Sequence, residues 1–331
     1  MAGPLANNPP NADRHITNGA IAWLWVVFSF FFISTLLMLA WHFIKPRGTR
    51  FFHNIALIIF ATSSLAYFSM ASNLGATPVR VEFEHAGFSQ TRQIFYVRYI
   101  QWFINFPLIL IMLLSASGLA LSDILTTAFM AWFAVVSGLV GALVASSYKW
   151  GYFVMAILAL MYIWASINGH ARRTTFHAGD GVRSGFIRGA GFLTVFTLMY
   201  PLVWGLSEGG NVLSPTGEMV WYGILDLILG PLFIFYFIFG LRSVDYETFG
   251  FRSNKYTDMY GPQGAVNHSA TSNGAAIPAS TTSGAAAAGH TPGAGVHHPE
   301  MGTASVAHGN NALHGVTMPE PAGPTTASSA V

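Results

Sequence analysis

The sequence lacks cysteine altogether and carries very little charge: only 8% of its 331 residues are Asp, Glu, Lys or Arg. Without thiols there are no disulfides, thiolate metal sites or cysteine nucleophiles. Soluble domains contain about 25% charged residues, so a chain with 53% hydrophobic and 15% aromatic residues belongs in a bilayer rather than in water. The formal net charge of +2, with no basic stripe interleaved with aromatics, argues against nucleic-acid binding. Lysine is scarce. Lys45, Lys149 and Lys255 are the whole set, and each reads as a loop or tail position. Residues 1–19 are polar and show neither the basic start nor the apolar core of a cleaved signal. The first apolar stretch is therefore expected to act as its own insertion signal.

What the chain does have is seven apolar runs, each about 20 residues or more, enough to cross roughly 30 Å of hydrocarbon. They cover Ala20–Phe43, Asn54–Leu74, Tyr96–Ser117, Ile124–Val144, Tyr148–Ile167, Gly185–Leu206 and Met219–Leu241. Short polar connections make consecutive runs antiparallel neighbours in a bundle. In the second connection, the alternation Val79-Arg80-Val81-Glu82-Phe83-Glu84, followed by His85-Ala86-Gly87, predicts a small surface β-hairpin. The expected fold class is an all-α membrane protein. It comprises an extracellular segment (1–19), a seven-transmembrane-helix domain with its extracellular hairpin (20–245) and a cytoplasmic tail (246–331).

Lys and Arg set the orientation. Lys45, Arg47 and Arg50 in the first connection and Arg172, Arg173, Arg183 and Arg188 in the fifth outweigh Arg14, Arg80, Arg92 and Lys149 on the other side. The N-terminus is thus expected outside and the C-terminus in the cytoplasm, which leaves the sequon Asn267-His268-Ser269 unglycosylated. After Tyr260 the composition turns to Ala, Gly, Ser, Thr, Pro and His, the signature of a disordered tail. The tail histidines His268, His290, His297, His298, His308 and His314 are irregularly spaced and read as solvated rather than metal-binding.

Two charges fall well inside apolar runs, Arg98 in the third and Asp226 in the seventh. Lone ions are costly in hydrocarbon, so the two are expected to face one cavity and to interact directly or through water. Such a pair serves either helix packing or a proton or ligand site. Arg98, Gln101 and Asn105 share one helix face, and Tyr67, Trp102, Tyr200 and Trp204 are candidates to line the same space. An aromatic stripe at helical spacing is first of all packing, but amides on the inward face need hydrogen-bond partners. One turn beyond Asp226 comes Gly230. Next is Pro231, which lacks an N–H and frees the Leu227 carbonyl.

Several stretches taken together resemble the microbial rhodopsins over residues 20–245. They are Arg98-Tyr99-Ile100-Gln101-Trp102 with Asn105-Phe106-Pro107-Leu108, Gly138-Leu139-Val140-Gly141-Ala142-Leu143, Tyr200-Pro201-Leu202-Val203-Trp204 through Ser207-Glu208-Gly209, and Leu225-Asp226. In that family the residue four after the seventh-helix Asp is the lysine that forms the retinal Schiff base. Here it is Gly230, and no register shift supplies another amine; the missing lysine side chain implies a void, filled either by repacked side chains or by an apolar molecule. The resemblance implies a vestigial retinal pocket made of Tyr67, Arg98, Gln101, Trp102, Asn105, Thr197, Tyr200, Trp204, Asp226 and Gly230. It also implies an extracellular acidic pair, Glu208 and Glu218. The family's proton acceptor falls on Gln101, its donor on Met112 and a retinal-packing tryptophan on Thr197, so light-driven pumping is not expected.

The pattern is most similar to the lysine-less fungal opsin-related, heat-shock-type branch. That implies a non-photoactive, stress-linked plasma-membrane protein, neither enzyme nor metalloprotein, with no covalent cofactor. In some members it also implies regulation of the plasma-membrane proton ATPase. Three functions follow as expectations. The first is a membrane scaffold or regulator whose partners are the lipid bilayer and a membrane protein such as that ATPase. The second is a binder of a non-covalent apolar ligand (lipid, sterol or retinoid) in the vestigial pocket. The third is a passive proton or ion conductor through Arg98, Asp226, Glu208 and Glu218, disfavoured by the lack of titratable groups in the inner half. A homo-oligomer, a trimer by analogy, is implied as well. The absence of a DRY-like triplet ending the third run and of an NPxxY-like stretch in the seventh argues against a G-protein-coupled receptor.

Overall fold

A computed structural model describes residues 3–45, 49–82, 90–175 and 180–241. Its helices are α1 (Asn18–Ile44), α2 (Phe51–Ala71), α3 (Tyr96–Ser115) and α4 (Leu121–Leu143). Three longer ones follow: α5 (Lys149–Thr174), α6 (Gly181–Gly209) and α7 (Pro215–Gly240). All seven are long and apolar enough to cross a membrane. Each apolar run of the sequence has become one helix, with ends displaced by a few residues where capping rather than hydropathy sets the boundary. The seventh run starts at Met219, yet α7 begins at Pro215, because Ser214 Oγ accepts from Gly217 N (3.1 Å) and proline suits the first helical position. Thr17 likewise caps α1, accepting from Ala20 N at 3.4 Å.

Each helix packs on the next in sequence, and α7 returns against α1 to close the bundle. Large side chains such as Phe31, Phe60, Tyr67, Tyr222 and Phe233 fill the centre, while Phe30, Leu37, Leu65, Phe129, Leu158 and Leu202 are exposed around the outside. An apolar exterior of this kind is what lipid requires. Prolines are accommodated by local devices. Pro107 leaves the Phe103 carbonyl without its helical donor, and Trp132 Nε1 on α4 supplies one at 2.9 Å. At Pro231, α7 passes through a π turn, Ile228–Leu232, whose longer-range bonding carries the backbone ladder past the missing N–H. A second π turn, Gly205–Gly209, aims Glu208 inward at the end of α6.

The hairpin pairs β1 (Thr77–Arg80) with β2 (Thr91–Ile94) in antiparallel register, Thr77 opposite Ile94 and Arg80 opposite Thr91. The first strand starts two residues earlier than the side-chain alternation indicated, and Phe83 to Gly87 lie outside the described residues. The N-terminal segment joins this small sheet. Arg14 N donates to Thr91 O and Gln93 N to Arg14 O, both at 2.9 Å. Asn8 Nδ2 bonds the Ser72 carbonyl at 2.8 Å, and Thr17 N bonds Thr216 Oγ1 at 3.0 Å, so residues 8–17 lie across the hairpin end of the bundle. The tail, with its sequon, its histidines and Lys255, lies outside the described residues.

Candidate functional site

Asp226 stands at the centre of the bundle with 2% of its surface exposed. Four uncharged donors converge on its carboxylate. Tyr67 Oη and Tyr200 Oη each donate at 2.7 Å, Trp102 Nε1 at 3.1 Å and Gln101 Nε2 at 3.2 Å. They come from α2, α6 and α3, so one carboxylate ties three helices to α7. Gln101 Nε2 also reaches Ser63 Oγ at 3.3 Å, and Asn105 Nδ2 donates to the same hydroxyl at 2.8 Å. The inward face of Gln101 and Asn105 is thus as expected, with Ser63 the unforeseen acceptor between them.

Arg98 is not the partner of Asp226. Its Nη2 lies 3.5 Å from Glu208 Oε1, and its guanidinium sits 3.5 Å from the centre of the Tyr222 ring and 4.7 Å from that of Tyr99. The expected direct pairing fails for a geometric reason. Helical side chains lean toward the helix N-terminus, and Arg98 lies in the first turn of α3, so it points to the hairpin end. Gln101, one turn further in, takes the place against Asp226. Glu208 and Glu218 lie at the same end of the bundle, and each has its own arginine. Glu208 also accepts from the Tyr99 hydroxyl, and Glu218 accepts from Arg92 Nη2 at 2.6 Å.

Two of the residues read as loop charges belong to this network. Arg92 and Lys149 are each 2% exposed. Arg92 Nη1 also donates to Leu213 O at 2.6 Å, and Lys149 Nζ donates to Glu208 O at 3.0 Å. The only sequence signal for them was indirect: two carboxylates near helix ends had to be balanced by the few cations on that side.

At Gly230 the space expected from the missing side chain is filled by a repacked aromatic residue. The Phe31 ring of α1 lies directly against the glycine. A Cβ built there would stand 2.6 Å from Phe31 Cε1 and 2.8 Å from Cζ. Phe31 is buried and stacks on Tyr67, with centroids 5.4 Å apart and planes at 16°. An aromatic side chain therefore fills the place beside Gly230 and closes that end of the expected pocket. No lysine occurs anywhere in α7.

The other end stays open. Between α3, α4, α5 and α6 lies a cavity of about 110 Å³ whose walls include Trp102, Phe106, Phe153, Thr197, Tyr200 and Trp204. Thr197 is short, and its hydroxyl turns back to donate to Leu193 O (2.6 Å) while accepting from Trp164 Nε1 (3.0 Å). Arg98 and Tyr222 line the cavity toward the hairpin end. The predicted residues thus divide into two groups. Tyr67, Gln101 and Asp226 gather beside Gly230 and Phe31, whereas Arg98, Thr197 and Trp204 surround the cavity, with Trp102 and Tyr200 shared between the groups.

A seven-helix membrane bundle with this central carboxylate defines an opsin-type protein, and the sequence comparisons agree. The profile of the bacteriorhodopsin-like protein family matches residues 18–240, and the chain belongs to that family. It is 54% identical to Protein FDD123 of Trametes versicolor, covering 81% of this chain and 96% of that protein. Opsin-like protein carO of Fusarium fujikuroi is 40% identical, over 81% of this chain and 88% of its own length. The 30 kDa heat shock protein of Saccharomyces cerevisiae is 34% identical, over 71% of this chain and 76% of its own. Among solved structures, a light-driven proton pump from Leptosphaeria maculans superposes with a TM-score of 0.65 at 27% identity, covering 70% of this chain and 99% of that one.

Proposed function

We propose that the protein is a non-photoactive opsin that serves as a stress-linked scaffold or regulator in the plasma membrane. The observation that carries this reading is Phe31 packed against Gly230. At the position where a retinal Schiff base would need an amine, there is no nitrogen and no room for one. The environment of Asp226 supports the same view. Its carboxylate accepts from four neutral donors on three other helices and so has its hydrogen-bond partners without a Schiff-base nitrogen. Pumping also lacks a relay, since Gln101 and Met112 do not titrate. The Lys/Arg asymmetry supports an outside N-terminus and a cytoplasmic C-terminus.

The stress link draws support from the relative named a heat shock protein. With no chemistry at its centre, the bundle would act through its surfaces and its tail. A membrane protein such as the proton ATPase is the expected partner, and self-association into trimers is expected by analogy. Crosslinking in intact membranes, followed by capture of the full chain and of a chain ending at Tyr260, tests this. The ATPase should be recovered with the full chain and depleted with the shortened one. Equal recovery would remove the tail from the interaction, and no recovery would remove the partner.

The cavity between α3 and α6 favours a second reading, in which the bundle holds a non-covalent ligand. A lipid, sterol or retinoid would have to displace Phe31 or open the helices. A smaller molecule would not. Passive conduction finds less support, because each carboxylate at the hairpin end is tied to an arginine.

A further inference from the structure

The end of the bundle opposite the hairpin carries a polar strip on its outward side, along the seam between α5 and α6. Asn168 of α5 is exposed, and its Nδ2 donates to Thr194 Oγ1 of α6 and to the Trp164 carbonyl, both at 3.0 Å. The bond to Thr194 fixes how these two antiparallel helices sit side by side. Arg172 follows Asn168 by four residues, and Arg188 precedes Thr194 by six. At about 1.5 Å per residue, the two arginines lie roughly 6 and 9 Å beyond that bond, within about 3 Å of one level. His170 and Arg173 are exposed at the same end of α5.

Arg188 is the informative member. It lies seven residues inside α6, on the face that further along exposes Val195, Leu198 and Leu202. Its stem therefore runs along lipid, and its Nε turns back to the Ser184 carbonyl at 3.2 Å, so the guanidinium snorkels toward the helix end. Among the described residues neither Arg172, Arg173 nor Arg188 reaches a carboxylate, and the ion pairs lie at the hairpin end. Asp123, in the first turn of α4, is on the other flank of α5. There α4 meets α5 through Thr127 and Ser166 (3.0 Å), about half a turn round from Asn168. Exposed guanidiniums at nearly one depth, unmatched by acid and bordered by apolar surface, complement a phosphate held at that depth. Their forks suit phosphate oxygens, whereas a choline headgroup would bring a further cation beside them. We propose that this strip is a binding site for an anionic phospholipid, its phosphate held by Arg172 and Arg188 and its chains lying along α6. On the orientation argued above, the strip faces the inner leaflet, where such lipids concentrate.

The experiment uses the full chain in phosphatidylcholine nanodiscs containing phosphatidylserine or phosphatidylinositol on both faces, so its outcome does not depend on the orientation. Native mass spectrometry of protein ejected from the discs identifies the lipids it keeps. The wild type should retain an anionic lipid in preference to phosphatidylcholine. Arg172→Gln with Arg188→Gln should weaken that retention about fivefold for each charge removed. Lys45→Gln with Arg50→Gln removes the same charge at the α1–α2 corner of the same end and should leave retention within about twofold. The replaced side chains are exposed or half-buried, so both variants should fold. Equal losses in the two double variants would overturn the site and leave a general positive field. No preference for anionic lipid in the wild type would overturn the ligand class. Equally effective binding of glycerophosphoserine, the headgroup without its chains, would overturn a lipid as the occupant.

Discussion

The contact between Phe31 and Gly230 makes a quantitative prediction. Non-bonded carbons settle at about 3.5–4.0 Å, so a methyl group at position 230, at 2.6 and 2.8 Å from Phe31 Cε1 and Cζ, is about 1 Å too close. Overpacking of this kind costs about 1–3 kcal/mol. Against it stands the gain of about 0.4–1 kcal/mol from replacing a helical glycine with alanine. Gly230→Ala alone should therefore destabilise the protein, or at best leave it unchanged. Phe31→Leu removes the two ring atoms involved, and the remaining near contact, Cδ1 at 3.9 Å, is ordinary. In that background the same Gly230→Ala change should stabilise. Equilibrium unfolding of the four proteins in mixed micelles gives the coupling energy, expected at about 1–3 kcal/mol. Additivity within about 0.5 kcal/mol would refute the claim that Phe31 occupies the space beside Gly230.

Other consequences follow from named contacts. Trp132→Phe should cost about 1 kcal/mol, because the Phe103 carbonyl loses its substitute donor in hydrocarbon; in a Pro107→Ala background, where the helical N–H returns, the cost should vanish in the same unfolding assay. Arg92→Met strands a buried carboxylate and should cost about 3–5 kcal/mol, whereas Arg92→Met with Glu218→Met should recover most of that loss. Asp13 accepts from both the backbone N–H (2.8 Å) and the hydroxyl (2.9 Å) of Thr91, and these bonds hold its pKa below the usual carboxylate value. A depressed folded pKa stabilises above the unfolded value of about 3.9 and is lost as pH falls through the folded one. The melting-temperature gap between the native protein and Asp13→Asn should thus be constant near neutrality and close under acid.

Much of the fold was legible because a bilayer imposes a coarse rule: runs of about 20 apolar residues become helices. The company around Asp226 was legible too, since Tyr67, Gln101, Trp102 and Tyr200 are polar or amphipathic groups that hydrocarbon forces inward. Phe31 was not. It lies in the run Phe28-Ser29-Phe30-Phe31-Phe32, and a helix that is apolar on every side does not reveal which residue faces the centre. Arg92 and Lys149 escaped because loop position stood in for exposure, although a long side chain on a short strand or at a helix end can fold back into the core. The direction of Arg98 was within reach. A residue in the first turn of α3 leans toward the hairpin end and cannot also cover a carboxylate deeper in the bundle.

The central claim, that the site has no place for a Schiff base, is tested most directly by retinal itself. The purified wild-type protein, incubated with all-trans-retinal and reduced with borohydride, should show no visible pigment band and no retinyl mass increase inside the bundle. Gly230→Lys combined with Phe31→Ala, which restores both the amine and its room, should acquire both. A stoichiometric adduct mapping within the helices of the wild-type chain would contradict the account.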